Sequence, residues 1–205
     1  MIAADPSRVE DICAVPSGIN EYLWQYEHLR QFIVELNLLI VPMINDRSCT
    51  SETCPKMKAT DMWLYLCASH AKPQDCSAID YMIHSIDHAT STLNDPKNFK
   101  SRLDINQSSQ KYLQSIVRRL YRLFSHTYFH HEQVFMDFER SRNSCERFTV
   151  FAKTFKMMSS DLFIIPEDAF LKWIKLLVLG VLGFWGPTTP KLGYISWKIG
   201  IIKIS

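Results

Sequence analysis

The amino-acid sequence predicts an all-α protein, a helix bundle with long functional loops. Three observations carry that prediction. Apolar stripes at helical spacing recur along the chain, strand signals are few, and no repeat or low-complexity tract breaks the first 166 residues. A length of 205 residues suits one domain with a single core. The apolar fraction of 47% and charged fraction of 21% are those of an ordinary globular chain. With 23 basic and 21 acidic residues the formal charge is +2, so no global field points to nucleic acid or to a membrane surface. Charge-based recognition must come from local clusters.

The first helix is expected over residues 20–40, where Tyr22, Tyr26, Leu29, Ile33, Leu36 and Ile40 share one face. Asn20 is its expected N-cap, and Pro42 ends the pattern. A polar, cysteine-bearing loop follows from Asn45 to about Lys58. Thr60 to His70 is a short helix candidate, with Trp63, Leu64 and Cys67 turned inward. The next helix starts at Ser77, whose spacing to Asp80 suits a capping box, and its stripe is Ile79, Ile83, Ile86 and Leu93. Asn94 to Ser109, with Pro96, reads as a loop. The longest pattern runs from Ser109 to about Arg140, with a break expected near its middle and an apolar stripe of Val117, Tyr121, Phe124 and Tyr128. A last helix spans Cys145 to Met158, with Phe148, Phe151, Ala152 and Phe155 inward.

The residues from 167 to 205 differ in character. Leu176 to Trp185 is apolar apart from glycine, with Lys172 and Lys175 before it. That run is short of the roughly 20 residues needed to cross a bilayer. An interfacial segment, a cover for a hydrophobic groove and an aberrant gene-model end stand as open readings. At the other end, Met1 to Val15 carry Asp5, Glu10 and Asp11 and no apolar run, so no secretory signal is expected. The six cysteines are therefore read as reduced thiols or metal ligands rather than as disulfides.

Cys49 and Cys54 stand in CTSETC, a C-x4-C pair within a polar loop. His126, His130 and His131 stand in SHTYFHH on a downstream helix. Two thiolates and two imidazoles make the closed tetrahedral set that structural zinc prefers over hard cations. His126 and His130 are one turn apart and share a face. His126 and His131 are about 140° apart on an ideal helix, and meet one metal only by reaching around the same side or at a frayed turn. Spacing admits both pairs. His84 and His88 also have one-turn spacing, but no ligand of the right type is evident beside them, so they read as surface histidines. Four ligands leave no open position for water, and the H-E-x-x-H motif is absent, which argues against a zinc hydrolase.

Arg118, Arg119 and Arg122 lie one or two turns before His126. Three converging guanidinium groups can hold a dianion through bidentate, charge-assisted hydrogen bonds, and a phosphoserine or phosphothreonine is the natural ligand. Nucleic acid normally wants a broader basic surface with interleaved aromatics, and is not expected.

With these residues in hand the chain resembles the Mob/phocein family. The matching phrases are WQYEHLRQF at 24–32, CTSETCPKMKATDMW at 49–63, CSAIDY at 76–81, RRLYRLFSHTYFHH at 118–131 and CERFTVF at 145–151. YEHLRQF and FSHTYFHH look like the phocein branch. The resemblance implies a domain over 1–166, shortened at its N-terminus, with a four-helix core and one structural zinc. Carried over by position, the zinc ligands are Cys49, Cys54, His126 and His131, a choice that overrides the geometric preference for His130. It also implies that Arg118, Arg119 and Arg122 match a basic pocket for phosphorylated kinase segments. The implied role is that of a non-catalytic adaptor in striatin-type phosphatase–kinase assemblies, cytoplasmic, and linked to membrane trafficking at the Golgi. A kinase-activating coactivator is the first alternative, ahead of a zinc-dependent hydrolase. Nothing from the family transfers to residues 167–205, whose apolar, basic character departs from its pattern.

Overall fold

In the computed structural model, residues 6–102 and 105–170 are described, apart from the side chains of residues 6–8 and 170; residues 171–205, where the readings of the tail fall, lie outside them. Among the described residues six α-helices follow one another: α1 (Pro6–Cys13), α2 (Glu21–Asn45), α3 (Ala78–Asn94), α4 (Gln110–His130), α5 (Glu132–Arg142) and α6 (Ser144–Thr154). No strand is found among the described residues, only two isolated antiparallel bridges, Lys58 with Leu64 and Cys67 with Gln74. The protein is all-α, as the stripes predict.

α2, α3 and α4 pack against one another, and α5 packs on α2 and α4. α6 also packs on α2 and α4 and carries α1 on its outer face. α2 starts where expected, because the Asn20 side chain accepts hydrogen bonds from the backbone N–H of Tyr22 and Leu23 at 2.9 and 3.0 Å. The expected inward face holds, with Tyr26, Leu29, Ile33, Leu36 and Ile40 buried. Pro42 does not end this helix, which continues to Asn45. A proline forfeits only the bond to the carbonyl four residues back, here that of Leu38. Leu38 and Val41 face solvent at 43% and 48% exposure, so the cost falls on the wet side of the last turns.

α3 is capped by Ser77, whose hydroxyl accepts from the Asp80 N–H at 3.2 Å. Its inward face is Ala78, Tyr81, Met82, Ser85, Ile86, Ala89 and Leu93, while Ile83 is 41% exposed. The stripe expected through Ile79 and Ile83 is thus rotated by about one residue. The Tyr26 hydroxyl donates to the Leu93 carbonyl at 2.9 Å and closes the last turn of α3 onto α2.

The segment Thr60–His70 is not a helix. From Met62 to Cys67 exposure alternates: Met62, Leu64 and Leu66 face out, and Trp63, Tyr65 and Cys67 turn in. That period of two belongs to extended backbone. It is held by bonds from Tyr65 N–H to the Met57 carbonyl and from Cys67 N–H to the Gln74 carbonyl, at 2.9 and 2.8 Å.

The longest pattern is broken where α4 meets α5. His131 sits between them at φ −137°, ψ 52°, outside helical geometry. A second break comes at Asn143, in the left-handed region at φ 52°, a conformation asparagine tolerates better than most residues. The Glu139 carboxylate spans that corner and accepts the N–H groups of Cys145 and Glu146, both at 2.8 Å, so it caps α6. Phe32 and Phe148 meet edge-on at 5.0 Å, and Phe124 joins them in the core. Truncating one such buried ring costs about 3–5 kcal/mol. Buried Glu35 pairs with Arg147 at 2.5 Å and accepts from Ser144, tying α2 to α6. Burial alone would raise the Glu35 pKa, but the bonds from Arg147, Ser144 and Gln31 hold it below the ordinary carboxylate value. Packing continues past Pro166, because Ala169 is fully buried and Lys153 pairs with Glu167 at 2.8 Å.

Candidate metal centre and arginine pocket

The loop after α2 is shaped by its own hydroxyls. Thr50 N–H donates to Thr53 Oγ1 at 2.8 Å, Thr53 Oγ1 donates to the Ser48 carbonyl at 3.0 Å, and Cys54 N–H donates to the Thr50 carbonyl at 2.8 Å. This threonine-rich turn brings the two sulfurs of CTSETC to one side. The Cys54 carbonyl then accepts from Ala78 N–H at 2.9 Å, one of the free donors at the start of α3. Buried His126 projects from α4 and half-buried His131 from the break after it.

Cys49 Sγ lies 3.7 Å from His126 Nε2, and Cys54 Sγ lies 3.6 Å from His131 Nε2. All four donor atoms fall within 4.8 Å of one another. Metal bonds of roughly 2.3 Å to sulfur and 2.05 Å to nitrogen at tetrahedral angles put neighbouring S and N about 3.6 Å apart. The observed edges match that figure, so this cluster can hold a metal ion.

The break in the helix places His131, rather than His130, beside the two sulfurs. At its non-helical dihedrals His131 turns toward Cys54, while His130 is exposed and stacks its ring on His126 at 4.7 Å. His126 Nδ1 stands 2.6 Å from the Lys58 carbonyl, and only an N–H can make that contact, so Nε2 keeps its lone pair for the cluster. Burial lowers the His126 pKa to about 4, which keeps this ring neutral near pH 7. Burial first, and then the neighbouring Cys54 sulfur, push the Cys49 thiol up to about 12. Two thiolates cannot share this site unless a cation supplies the missing positive charge. Two sulfurs and two imidazole nitrogens suit a borderline divalent ion rather than calcium or magnesium.

A second group went unread in the sequence. His84 does not stand as a surface pair with His88: its Nδ1 lies 3.6 Å from Cys67 Sγ and 3.9 Å from Cys76 Sγ. His70 completes the group, with Nε2 at 2.9 Å from Cys76 Sγ, and these four donor atoms also lie within 4.8 Å of one another. The available signal was C-x2-H followed by Cys76 and His84, four Cys and His residues within one short stretch. Assigning Thr60–His70 to a helix concealed it, because the loop that the Cys67–Gln74 bridge closes, which brings Cys67, His70 and Cys76 together, was not foreseen.

The three arginines do come together. Arg118, Arg119 and Arg122 line one cavity of about 360 Å³, together with Tyr81 and Ser85 of α3 and the loop residues Leu66 to Ser69. No carboxylate lines it among the described residues. Arg122 is held in place, donating to the Tyr81 hydroxyl at 2.6 Å with its guanidinium 4.6 Å over the Tyr65 ring. Arg118 is exposed and Arg119 half-buried. Burial first, and then the nearby Arg119 charge, lower the pKa of His88.

The profile of the Mob1/phocein family matches residues 2–165. The chain is 46% identical over 166 residues to the MOB kinase activator-like 4 of Drosophila melanogaster, covering 81% of this chain and 74% of that protein. It is 43% identical over 165 residues to the MOB-like protein phocein of Caenorhabditis elegans, covering 80% and 73%. The maintenance of ploidy protein mob1 of Schizosaccharomyces pombe is 27% identical over 162 residues, covering 75% and 76%.

Proposed function

The chain belongs to the Mob1/phocein family, and from that premise we propose that it is a non-catalytic adaptor whose arginine pocket reads a phosphorylated peptide. The observation that carries this reading is the cavity lined by Arg118, Arg119 and Arg122 with no lining carboxylate. A phosphate dianion there meets guanidinium groups on one wall and the Ser69, Ser85 and Ser115 hydroxyls on others. The adaptor domain takes in residues 1–166, and its packing reaches on to Ala169. Its partners are those the family resemblance suggests: a striatin-like scaffold, protein kinases and a phosphatase complex, in the cytoplasm and on the Golgi side of trafficking. No described helix is long and apolar enough to cross a membrane.

The adaptor holds one structural zinc at Cys49, Cys54, His126 and His131. When bound, zinc supplies a four-coordinate staple that carries no chemistry of its own. The residues do the rest. The Lys58 carbonyl fixes the His126 tautomer, and the threonine turn presents the sulfurs. Four protein donors would fill a tetrahedral ion and leave no position for an activated water, which supports the adaptor reading over the hydrolase one.

The test is binding of a phosphothreonine peptide by fluorescence anisotropy. Arg119→Ala should weaken it by at least about tenfold, since a charge-assisted bond is worth about 1.5–3 kcal/mol, with far-UV circular dichroism unchanged. Equal affinity for the phosphorylated and unphosphorylated peptide would end the pocket assignment. A second reading, direct kinase activation, is favoured by the printed name of the relative at 46% identity. Stimulation of a purified partner kinase by the protein alone, without a scaffold, separates it from the first.

A further inference from the structure

We propose that Cys67, His70, Cys76 and His84 form a second zinc site. It is independent of the first and independent of whether the arginine pocket reads phosphate. Each ligand is delivered by a separate local device. Cys67 ends the extended segment and exchanges two backbone bonds with Gln74, at 2.8 and 3.1 Å, which closes the intervening residues into a tight loop. His70 sits within that loop. Cys76 immediately precedes the Ser77 cap, so its place is fixed by where α3 begins, and its carbonyl accepts from Met57 N–H at 3.2 Å. His84 projects from α3 back toward the loop, and its backbone carbonyl accepts from the Ser69 hydroxyl at 3.4 Å. A loop supplying two sulfurs and a helix supplying an imidazole is the usual way a small zinc module is assembled.

The geometry favours a metal over the alternatives. Cys67 Sγ to His84 Nδ1 measures 3.6 Å and Cys76 Sγ to His84 Nδ1 3.9 Å, against the roughly 3.6 Å of a tetrahedral sulfur–nitrogen edge. The 2.9 Å contact of His70 with Cys76 is shorter than that edge. An ion would open it by about 0.7 Å, a shift that the loop carrying His70 can take up. The two rings meet edge to face, at 84° with centroids 5.0 Å apart, and their donor nitrogens lie within 4.8 Å of each other and of both sulfurs. A disulfide between Cys67 and Cys76 would use the sulfurs and leave two converging imidazoles without a task. Both cysteines are free thiols here. The donor set, two sulfurs and two nitrogens, selects zinc for the same reason as in the first cluster. Because Leu66, Cys67, Ala68, Ser69 and Pro73 form one wall of the arginine cavity, an ion at this site would hold that wall still.

The experiment is native mass spectrometry of the full chain, purified reduced and with zinc present. Two zinc ions in wild type, falling to one in Cys76→Ser and to one in Cys54→Ser, are expected. A single ion in wild type that Cys76→Ser still holds, or two retained in Cys76→Ser, overturns the second site. Alkylation of wild type with N-ethylmaleimide, before and after a chelator, keeps the test valid should a variant fail to fold. Cys76, which is partly exposed, should be protected until chelation. Free labelling of Cys76 beside a protected Cys54 refutes the second site and leaves the first standing; the reverse pattern confirms the second and refutes the first.

Discussion

The two cysteine–histidine clusters use the same four donor types to join very different things. Cys49 and Cys54 each reach a histidine 77 positions away, whereas Cys67 and Cys76 reach His84 across 17 and 8 positions. The first cluster ties the end of α2 to α4 and to the start of α5, three members of the core. The second ties a loop to the helix that immediately follows it. Loop-closure entropy alone makes a cross-link over the longer stretch about 1 kcal/mol more stabilising. Packing widens the gap, because His126 is buried among core residues and His70 is not. The first cluster should therefore act as a staple for the whole fold and the second as a local clamp.

That contrast breaks most visibly at His126. His126→Ala removes a ligand and opens a void in the core, and should lower stability by at least about 4 kcal/mol, roughly 10 °C in Tm for a chain of this size. Differential scanning calorimetry measures it, and a change of only a degree or two would mean that the first cluster is not a staple. Cys76→Ser should cost far less, about 1–2 kcal/mol, but hydrogen exchange should quicken over residues 66–76 while the amides of α4 stay protected. Equal acceleration across both regions would erase the distinction between staple and clamp.

A smaller effect sharpens the comparison from a joint that needs no metal. At the α5–α6 corner Glu139 spans the turn with its carboxylate, and burial raises its pKa to about 7 from 4.5. Its folded-state pKa is the higher one, so the native protein holds the proton more tightly between those values. Stability from this group is present below pH 4.5 and is lost as pH rises toward 7. Chemical denaturation across pH 4–8 should show the falling component vanish in Glu139→Gln. Its persistence in that variant would assign it to another group.

Much of this was legible in the sequence where a local rule decides the outcome. Asn20 caps α2 because its side chain needs only the next three residues, and Ser77 caps α3 likewise. Cys49 and Cys54 stood out because a polar loop has no other use for two thiols. The remainder depended on tertiary context. His131 could be preferred to His130 only by family resemblance until the break at its own dihedrals was seen, and nothing in SHTYFHH states that break. The stretch Met62–Cys67 reads equally as helix or as extended chain at this length, and its bridge to Gln74 settled it as extended. Losing that segment to a helix hid Cys67 and His70 and left His84 to be paired with His88. Pro42 was overvalued as a stop, because its cost depends on which side of α2 faces water. α1 offered too short a pattern to stand out. The arginines were visible as a cluster, but that loop residues 66–69 and 73 close a cavity around them was not.

The most direct test of the staple-and-clamp account is a stepwise chelator titration of wild-type protein, following released zinc and far-UV circular dichroism together. The account predicts two phases: a first ion leaving with helicity nearly intact, then a second whose loss coincides with collapse of the helical signal. Full helicity after all zinc has been removed would contradict it, because the bundle would then stand without the ion that is held to join its core helices.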